Sequence, residues 1–335
     1  MLSAALLSVS ALATAAAAGP IGARAARTSP PEGCLAVGSS ETYKTVQSAV
    51  DALDPSTSSE QCIFVYKGTY NEQVYIPELN SALALYGETS DTSSFASNTV
   101  TITQSRSQDD SPNNDETATL RAHTANLRVY NINLVNTRGK GSQALAVSAQ
   151  ADRQGYYACQ FRGFQDTVLA NEGAQVYARS YIEGATDFIF GQRARAWFDG
   201  ADIRVLAASV GYITASGRDS TENPSYYVVH NSAVAAKDGD SVPAGAYYLG
   251  RPWRNYARVV FQQTSLSGVI NGAGWKVWND GDERIDGVEF GEYGNTGDGA
   301  KGTRASFSKQ LSGPVSIETV LGSDYASWVD TSYLS

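Results

Sequence analysis

Short apolar runs separated by turn-forming residues recur along most of this chain. They are rich in β-branched and aromatic residues and are bounded by Gly, Asn, Asp or Ser, which is typical of β-strands. The pattern therefore predicts an all-β protein built from short strands. The runs lie at 63–66, 83–86, 100–102, 127–135, 144–147, 203–206, 226–229 and 258–261.

The strand-like runs also repeat with a nearly constant spacing. The segment Tyr-Ala-Cys at 157–159 is echoed by Tyr-Ala-Arg at 177–179, and Ala-Trp-Phe follows at 196–198. A repeat of about 20–25 residues is typical of a solenoid, in which each repeat adds one coil to the same core. In a parallel β-solenoid one period moves the chain by one strand spacing, about 4.8 Å. Residues one period apart are therefore expected to be neighbours on adjacent coils.

One segment near the N-terminus departs from the strand pattern. Val46, Ala49, Val50 and Leu53 are spaced i, i+3, i+4 and i+7, which predicts a short amphipathic helix over 45–53. Because the end of a solenoid exposes its core, this helix is expected to cap the first coil.

Polar segments at 104–116 and 291–302 interrupt the strand pattern and predict two long loops. The C-terminal stretch 315–321, together with Tyr325 and Trp328, is predicted to pack back over the sheets.

The N-terminal residues have the composition of a targeting segment. Residues 1–18 are a short apolar run that ends in small residues, as a secretory signal peptide does. The run lacks Lys and Arg, and the alternative is an anchor helix, although the run is short and Ala-rich for a membrane span. Residues 19–31 are either a removed pro-segment or a loose tail. We predict a signal peptide at 1–18, one domain at 19–335, and secretion to the extracellular space.

The charge of the chain narrows the class of partner. The formal net charge is −9, and nucleic-acid binding requires clustered Lys and Arg. No nucleic-acid or membrane partner is therefore predicted. The chain has only two His and no cluster of Cys with His, so no metal site is predicted.

Three cysteines bear on the compartment and on the disulfides. In an oxidising compartment a pair is plausible, and Cys34 with Cys62 would tie the N-terminal end to an early strand. Cys159 lies in an apolar segment and is expected to be a buried free thiol.

Two aspartates stand out because each lies in an apolar, strand-like segment. Asp166 occurs in Gly-Phe-Gln-Asp-Thr-Val at 163–168, and Asp187 begins Asp-Phe-Ile-Phe-Gly at 187–191. Their separation along the chain is close to the repeat, so they are expected to face each other on adjacent coils. A single Asp of this kind is more often a turn residue that bonds its own backbone. A pair is different, because two close carboxyl groups separate in pKa and can supply one acid and one nucleophile or base.

Two glutamines help to choose among reactions for such a pair. Gln143 precedes Gln165 by about one period, which places it one coil earlier. Carboxyl pairs also serve retaining glycosidases, so the aspartates alone leave ester and glycosidic cleavage open. Neutral amide donors suit the oxyanion of acyl transfer and give little to a positively charged oxocarbenium-like state. The alternative for each glutamine is a structural hydrogen bond along a coil.

A third segment, Leu-Gly-Arg-Pro-Trp at 249–253, completes the candidate chemistry. Arg251 offers a planar fork that can hold an ionised Asp or a substrate carboxylate. Trp253 offers a face for a sugar ring. The alternative is a structural ion pair with a Trp packed at the surface. Trp275 and Trp278 are further cleft candidates, and strand packing explains them equally well.

These segments occur in an order that resembles a known family. Together with Gly-Thr-Tyr-Asn-Glu at 68–72 and Gln-Ala-Leu-Ala at 143–146, they resemble the five signature segments of the pectin methylesterases, and the resemblance extends from about residue 31 to the end. The compact form is most similar to the secreted fungal members. Val168 departs from the pattern, because the family usually has Leu there.

The resemblance implies a right-handed parallel β-helix whose long loops form a cleft. It also implies a reaction, which is hydrolysis of the C6 methyl esters of galacturonosyl units in pectin. Asp187 would be the nucleophile, Asp166 the acid and then the base, and Gln143 and Gln165 the oxyanion donors. Arg251 would orient Asp187 and contact substrate, and Gln143 and Trp253 would also bind the sugar. No cofactor or metal is implied, and we expect a monomer active at mildly acidic pH.

Two rival interpretations remain open at this point. The first is another pectin-active enzyme on the same fold, either a polygalacturonase or a lyase. A lyase would need a cluster of acids for Ca²⁺, and the sequence shows none around Asp166 and Asp187. The second rival is a non-catalytic protein that binds wall polysaccharide through Tyr and Trp.

Overall fold

The chain winds through three parallel sheets in turn, and through most of its length each circuit adds one strand to every sheet. A computed structural model describes residues 25–335. All paired strands are parallel, and the three sheets have 11, 8 and 7 strands. This is the parallel β-helix that the repeat predicts. The predicted signal peptide lies outside the described residues.

The strands are named in chain order and assigned to three sheets. Sheet 1 contains β1 (Leu35–Val37), β2 (Gln61–Val65), β5 (Leu83–Gly87), β8 (Leu127–Tyr130), β11 (Gln154–Tyr157), β14 (Ala174–Ala178), β17 (Arg195–Asp199), β20 (Tyr226–His230), β23 (Arg258–Gln262), β25 (Glu289–Tyr293) and β26 (Ser308–Gln310). Sheet 2 contains β3 (Gly68–Asn71), β6 (Val100–Gln104), β9 (Asn133–Asn136), β12 (Gln160–Arg162), β15 (Tyr181–Gly184), β18 (Asp202–Val205), β21 (Ala233–Ala236) and β24 (Ser265–Leu266). Sheet 3 contains β4 (Val74–Ile76), β7 (Leu120–Ala122), β10 (Val147–Ala149), β13 (Val168–Ala170), β16 (Ile189–Gly191), β19 (Gly211–Ser216) and β22 (Tyr247–Pro252).

Helices are few and short. There are two α-helices among the described residues, α1 (Val46–Val50) and α2 (Ile317–Leu321). Single 3-10 turns lie at Phe95–Ser97, Asp115–Thr117, Asp298–Ala300, Tyr325–Ser327 and Thr331–Tyr333. No helix in residues 25–335 is long and apolar enough to cross a membrane.

The corner between sheets 1 and 2 is made by a residue in the left-handed conformation. Asn131, Ala158 and Arg179 have φ values of 55°, 48° and 49° and occupy this corner on successive coils. The predicted single strand at 127–135 is therefore wrong, because Asn131 divides it into β8 and β9 in different sheets. A residue in the left-handed conformation turns the backbone, so an extended strand cannot continue through it.

The central coils share one length, which the strand register fixes. Tyr156 pairs with Tyr177, so the predicted equivalence of Tyr157 with Tyr177 is wrong by one position. Tyr177 in turn pairs with Phe198. The rings of Tyr156, Tyr177 and Phe198 stack inside the core with centroid distances of 4.9 and 4.7 Å. Their alignment supports the even coil spacing on which the site depends.

Later coils are longer and carry the loops that border sheet 3. Trp197 pairs with Val228, well beyond one central period, so residues are inserted in that coil. The predicted loop at 291–302 is partly wrong because β25 extends to Tyr293. Gly291 pairs with Val260 in that strand, where a Cβ would lie about 3.0 Å from Leu311. The predicted strand at 144–147 begins only at residue 147.

The N-terminal helix is shorter than the predicted 45–53. Thr45 caps α1 by accepting a hydrogen bond from the backbone N–H of Ser48, at 3.1 Å. Val46, Ala49 and Val50 are buried and join the main core beside β1, the first strand of sheet 1. The helix therefore covers apolar surface near the start of the stack.

The C-terminal residues pack on the outer face of sheet 1, as predicted. Val320 and Leu321 of α2 are buried together with Val329 and Tyr333. They contact Trp197 and neighbouring side chains that point outward from sheet 1.

The predicted disulfide is present. Cys34 and Cys62 are joined and close a loop between the start of β1 and β2. Cys159 is a buried free thiol, also as predicted.

Candidate active site

Asp166 and Asp187 occupy the same backbone position on successive coils. Each lies two residues before a strand of sheet 3, and these strands pair with Val168 opposite Ile189. Neither is inside a strand, although the apolar segments that contain them run into β13 and β16. Their φ values are 62° and 48°, so both are left-handed corner residues. Asp tolerates this conformation better than most residues do. Both are buried, with 7% of their surface exposed.

The carboxylate of Asp187 is held by Arg251. Arg251 Nε donates to Oδ1 at 2.9 Å, and Nη2 donates to Oδ2 at 2.7 Å. Arg251 lies in β22, two strands along sheet 3 from β16. Paired, parallel bonds of this kind fix the position of a carboxylate and favour its ionised form.

The guanidinium of Arg251 is itself held between two aromatic rings. Its central carbon lies 4.1 Å from the ring centroid of Tyr212 and 4.1 Å from that of Trp278. Arg251 Nη1 also donates to the carbonyl of Trp278 at 3.3 Å. The rings restrict the guanidinium and favour its charge.

Asp166 has a neutral partner instead. Asn114 Nδ2 donates to Asp166 Oδ2 at 3.3 Å. Asn114 belongs to the polar segment predicted as a loop at 104–116, which the structure shows as a loop ending in a 3-10 turn. No sequence signal indicates that this loop returns to the site.

Burial and charge separate the acidities of the two aspartates. Burial, reinforced by the negative charge of Asp187, raises the pKa of Asp166 well above its usual range. Burial also raises the pKa of Asp187, but the hydrogen bonds and charge of Arg251 oppose this rise. Asp187 is therefore the more acidic member, and an intermediate pH leaves it ionised while Asp166 keeps its proton.

Gln143 and Gln165 lie along the side of sheet 3 where its strands begin, shortly before β10 and β13. The backbone N–H of Ala144 donates to the carbonyl of Gln165 at 3.2 Å, which places them on adjacent coils. Both side chains are partly exposed, and neither makes a side-chain hydrogen bond to another residue of 25–335. Their amide groups are therefore free to contact a ligand.

Trp253 borders the site on the side of the longer coils. Its ring packs on Phe190 with a centroid distance of 6.1 Å, beside Leu145, Leu169 and Ala215. An open cavity of about 490 Å³ adjoins it. The cavity is lined by Asp219, Trp253, Arg254, Asn255, Tyr256, Asp282 and Arg284.

The two other tryptophan candidates have different places. Trp275 is 1% exposed and stacks on Phe290 at 4.3 Å, so it is a core residue and not a cleft residue. Trp278 is half-buried and contacts Arg251.

Residues 25–335 contain no group of three or more His, Cys, Asp or Glu that could hold a metal ion. The site brings together the carboxyl groups of Asp166 and Asp187, the guanidinium of Arg251, amides and aromatic rings.

An aspartate pair presented by a parallel β-helix is typical of a class of carbohydrate-active hydrolases. Comparison with known proteins identifies the family. The pectinesterase family model matches residues 34–310. The chain belongs to the pectinesterase family and is a carboxylic ester hydrolase.

Relatives match over nearly the whole chain. A pectinesterase of Aspergillus niger is 54% identical over 314 residues, which cover 93% of this chain and 95% of the relative. A pectinesterase of Aspergillus aculeatus is 52% identical over 337 residues, which cover 99% and 98%. The crystal structure of the pectin methylesterase from Aspergillus niger superposes with a TM-score of 0.86 at 42% identity, covering 92% of this chain and all of that one. The carrot enzyme gives 0.80 at 28% identity, covering 92% and 98%.

Proposed function

We propose that this chain hydrolyses the C6 methyl esters of galacturonosyl units in pectin, releasing methanol and pectate through an acyl-enzyme on Asp187. Family membership supports the reaction. The observation that carries the mechanism is the unequal pair of carboxyl groups. Asp187 accepts two hydrogen bonds from Arg251, whereas Asp166 accepts one from a neutral amide.

In the first half-reaction a carboxylate oxygen of Asp187 attacks the ester carbonyl carbon. The carbon–methoxy bond breaks, and Asp166 gives its proton to the departing oxygen, so methanol leaves. Asp187 is then joined to C6 as an anhydride, and Asp166 is a carboxylate.

In the second half-reaction water attacks C6 of the acyl-enzyme. Asp166 takes a proton from the water, and the bond from C6 to Asp187 breaks. Asp187 returns to a carboxylate, where Arg251 stabilises the recovered charge. The galacturonic acid that forms then loses its proton to solvent.

The negative charge that develops on the carbonyl oxygen in both steps needs donors. Gln143 and Gln165 have free amides at the edge of sheet 3 where the substrate carbonyl would lie. We assign these amides to the oxyanion, because fixed neutral donors stabilise such a charge most when water is excluded.

The polymer would lie across Trp253 and the adjoining cavity. Trp253 presents a ring beside an apolar patch, and Arg251 and Gln143 supply polar contacts to the sugar whose methyl ester is hydrolysed. In this mechanism the chain's own carboxyl, guanidinium and amide groups act in each step, and we propose no role for a metal or an organic cofactor. We further propose that the protein acts outside the cell as a monomer with one catalytic domain at 19–335.

The test is methanol release from highly methylated pectin, with polymer length followed in parallel. The left-handed φ of 48° at Asp187 makes Asn the appropriate replacement, because Ala would add backbone strain. Wild type should release methanol without shortening the polymer, and Asp187→Asn should lose at least about 1,000-fold in kcat. Asp202→Asn is the matched control, because Asp202 is a partly buried aspartate that also pairs with an arginine, Arg204, but lies on sheet 2 away from the site. It should keep full activity.

The same assay separates the rival activities. Shorter chains without methanol would show that the two acids cut the glycosidic backbone instead. Unsaturated products that require added Ca²⁺ would show a lyase. Binding of pectin without any product, unchanged in Asp187→Asn, would show a polysaccharide-binding protein.

A further inference from the structure

The two oxygens of the Asp166 carboxyl group lie in different surroundings. Oδ2 accepts the hydrogen bond from Asn114 Nδ2 at 3.3 Å. No side chain among residues 25–335 forms a hydrogen bond to Oδ1. The contact is partly buried, and Asp166 itself is only 7% exposed. An oxygen that already accepts a hydrogen bond from an amide is a poor place for the carboxyl group's own proton.

The amide of Asn114 is oriented by a second amide. Gln108 Nε2 donates to Asn114 Oδ1 at 2.7 Å, which leaves the nitrogen of Asn114 for Asp166. The backbone of the same loop is tied to the site, because the N–H of Gln108 donates to the carbonyl of Gln143 at 3.1 Å. At its other end, Thr117 Oγ1 donates to the carbonyl of Asn114 at 2.8 Å.

We propose that Asn114 is a positioning residue for the acid–base step, which holds Asp166 Oδ2 and leaves Oδ1 to carry the proton. This inference rests on the proposed function. In the first half-reaction the proton passes from Oδ1 to the methoxy oxygen, and the C–O bond breaks. In the second, a proton from water returns to Oδ1. The Asn114 bond to Oδ2 persists throughout and stabilises the carboxylate that exists between the two steps.

The role predicts a specific change in the pH profile. Asn114 favours the ionised form of Asp166, so its removal should raise the pKa of the acid. In Asn114→Ala the alkaline limb of kcat should move upward by about 0.5–1 pH unit, and kcat should fall about tenfold. KM should change less than about twofold, since Asn114 acts through Asp166. A purely structural role would lower activity at all pH values without moving the limb.

Two further variants test the size and the specificity of this pH shift. Gln108→Ala removes the group that orients Asn114, so it should shift the limb in the same direction by less. Asn113→Ala is the matched control, because the side chain of Asn113 bonds to Glu116 and not to Asp166. The side chain of Asn114 forms no helix cap, so Asn114→Ala should retain the fold. Circular dichroism and the melting temperature would verify this.

A second readout does not depend on activity. The Asp166 carboxyl carbon can be titrated by 13C NMR in protein labelled at the aspartate carboxyl groups, with Asp166→Asn identifying its signal. The titration midpoint should move upward in Asn114→Ala and stay in place in Asn113→Ala.

An unchanged limb and an unchanged NMR midpoint would overturn the proposal. A downward shift would also overturn it, since it would mean that the amide is turned and that its oxygen accepts a hydrogen bond from a protonated Oδ2. If wild type releases no methanol, the proposed function fails, and the NMR midpoint still decides whether Asn114 stabilises the Asp166 carboxylate.

Discussion

Arg251 and Asp187 face each other through two parallel hydrogen bonds, although 64 residues separate them in the chain. Their side chains are 15% and 10% exposed. An ion pair this deeply buried favours one carboxylate of the aspartate pair over the other. Arg251, from β22, therefore contributes to the difference in acidity between the two aspartates that the proposed mechanism needs.

Arg251→Lys keeps the charge but loses the planar fork, so it should lower kcat by at least about tenfold. It should also move the acid limb of the pH profile upward, because Asp187 would be less well stabilised as a carboxylate. The measurement is kcat for methanol release between about pH 3 and 9. Arg162→Lys, an exposed arginine on sheet 2, is the control. A Lys variant with wild-type kcat and an unmoved acid limb would contradict the role of Arg251.

Trp278 should matter through its contact with Arg251. Cation–π contacts contribute about 1–2 kcal/mol when desolvated, which corresponds to about 5- to 30-fold in rate. We expect this loss in kcat for Trp278→Ala and most of the activity retained in Trp278→Phe. Trp328→Ala on the outer face of sheet 1 should leave kcat unchanged, although it also removes a packed indole. A rise in KM alone would show instead that Trp278 only binds substrate.

The parts of the site that follow the coil period could be predicted from the sequence. Asp166 and Asp187 lie one period apart, as do Val168 and Ile189, which pair in the register of β13 and β16. Because a solenoid converts this spacing into adjacency, the pairing needed no knowledge of distant contacts. Gln143 and Gln165 could be placed on adjacent coils for the same reason.

The residues that support the aspartates and Arg251 could not be predicted, because their positions do not follow the coil repeat. Asn114 comes from a loop and Tyr212 from a coil lengthened by insertion, and their positions depend on tertiary packing. The corners were also hidden in the sequence, since Ala158 and Arg179 are left-handed without being Gly or Asn. The corner within 127–135 is an Asn, Asn131, but a single Asn inside an apolar run does not distinguish one strand from two.

The disulfide should stabilise the first coil. It joins residues 28 apart, and closing a loop of that length stabilises a protein by about 3.5 kcal/mol. The double variant Cys34→Ser/Cys62→Ser should therefore unfold at lower denaturant concentration and lose its response to a reducing agent. Wild type treated with the same agent should approach the variant. Equal midpoints for wild type with and without reductant would argue against a structural role for this bond.

The pH profile of the wild type should be bell-shaped. In the proposed mechanism Asp187 must be ionised, so the rate should rise with pH through the pKa of Asp187. Asp166 must also be protonated, so the rate should fall as pH passes the pKa of Asp166. Burial raises both pKa values, and that of Asp166 further, which places the optimum above the ordinary aspartate range of about 3.9. A rate that climbs steadily to about pH 9 would contradict this assignment.

The buried acid should also cost stability, and Asp166→Asn should reveal this. The pKa of Asp166 is raised on folding, so the folded state binds its proton more tightly than the unfolded chain does. Stability is then lost as pH rises from the unfolded pKa, about 3.9, toward the folded one. Asn removes this cost and keeps the left-handed corner. Its melting temperature should exceed that of wild type by at least about 2 °C at neutral pH and by much less below the unfolded pKa.

Asp187→Asn is the matched contrast, because the same change at the equivalent corner leaves Arg251 buried without its carboxylate. Unpaired buried charge is destabilising, so this variant should melt below wild type at neutral pH. Both variants should be inactive, and only Asp166→Asn should be more stable. Opposite changes in melting temperature at two corners with the same backbone conformation would show that the difference arises from Arg251. Equal shifts in both variants would contradict the division of roles between the two aspartates.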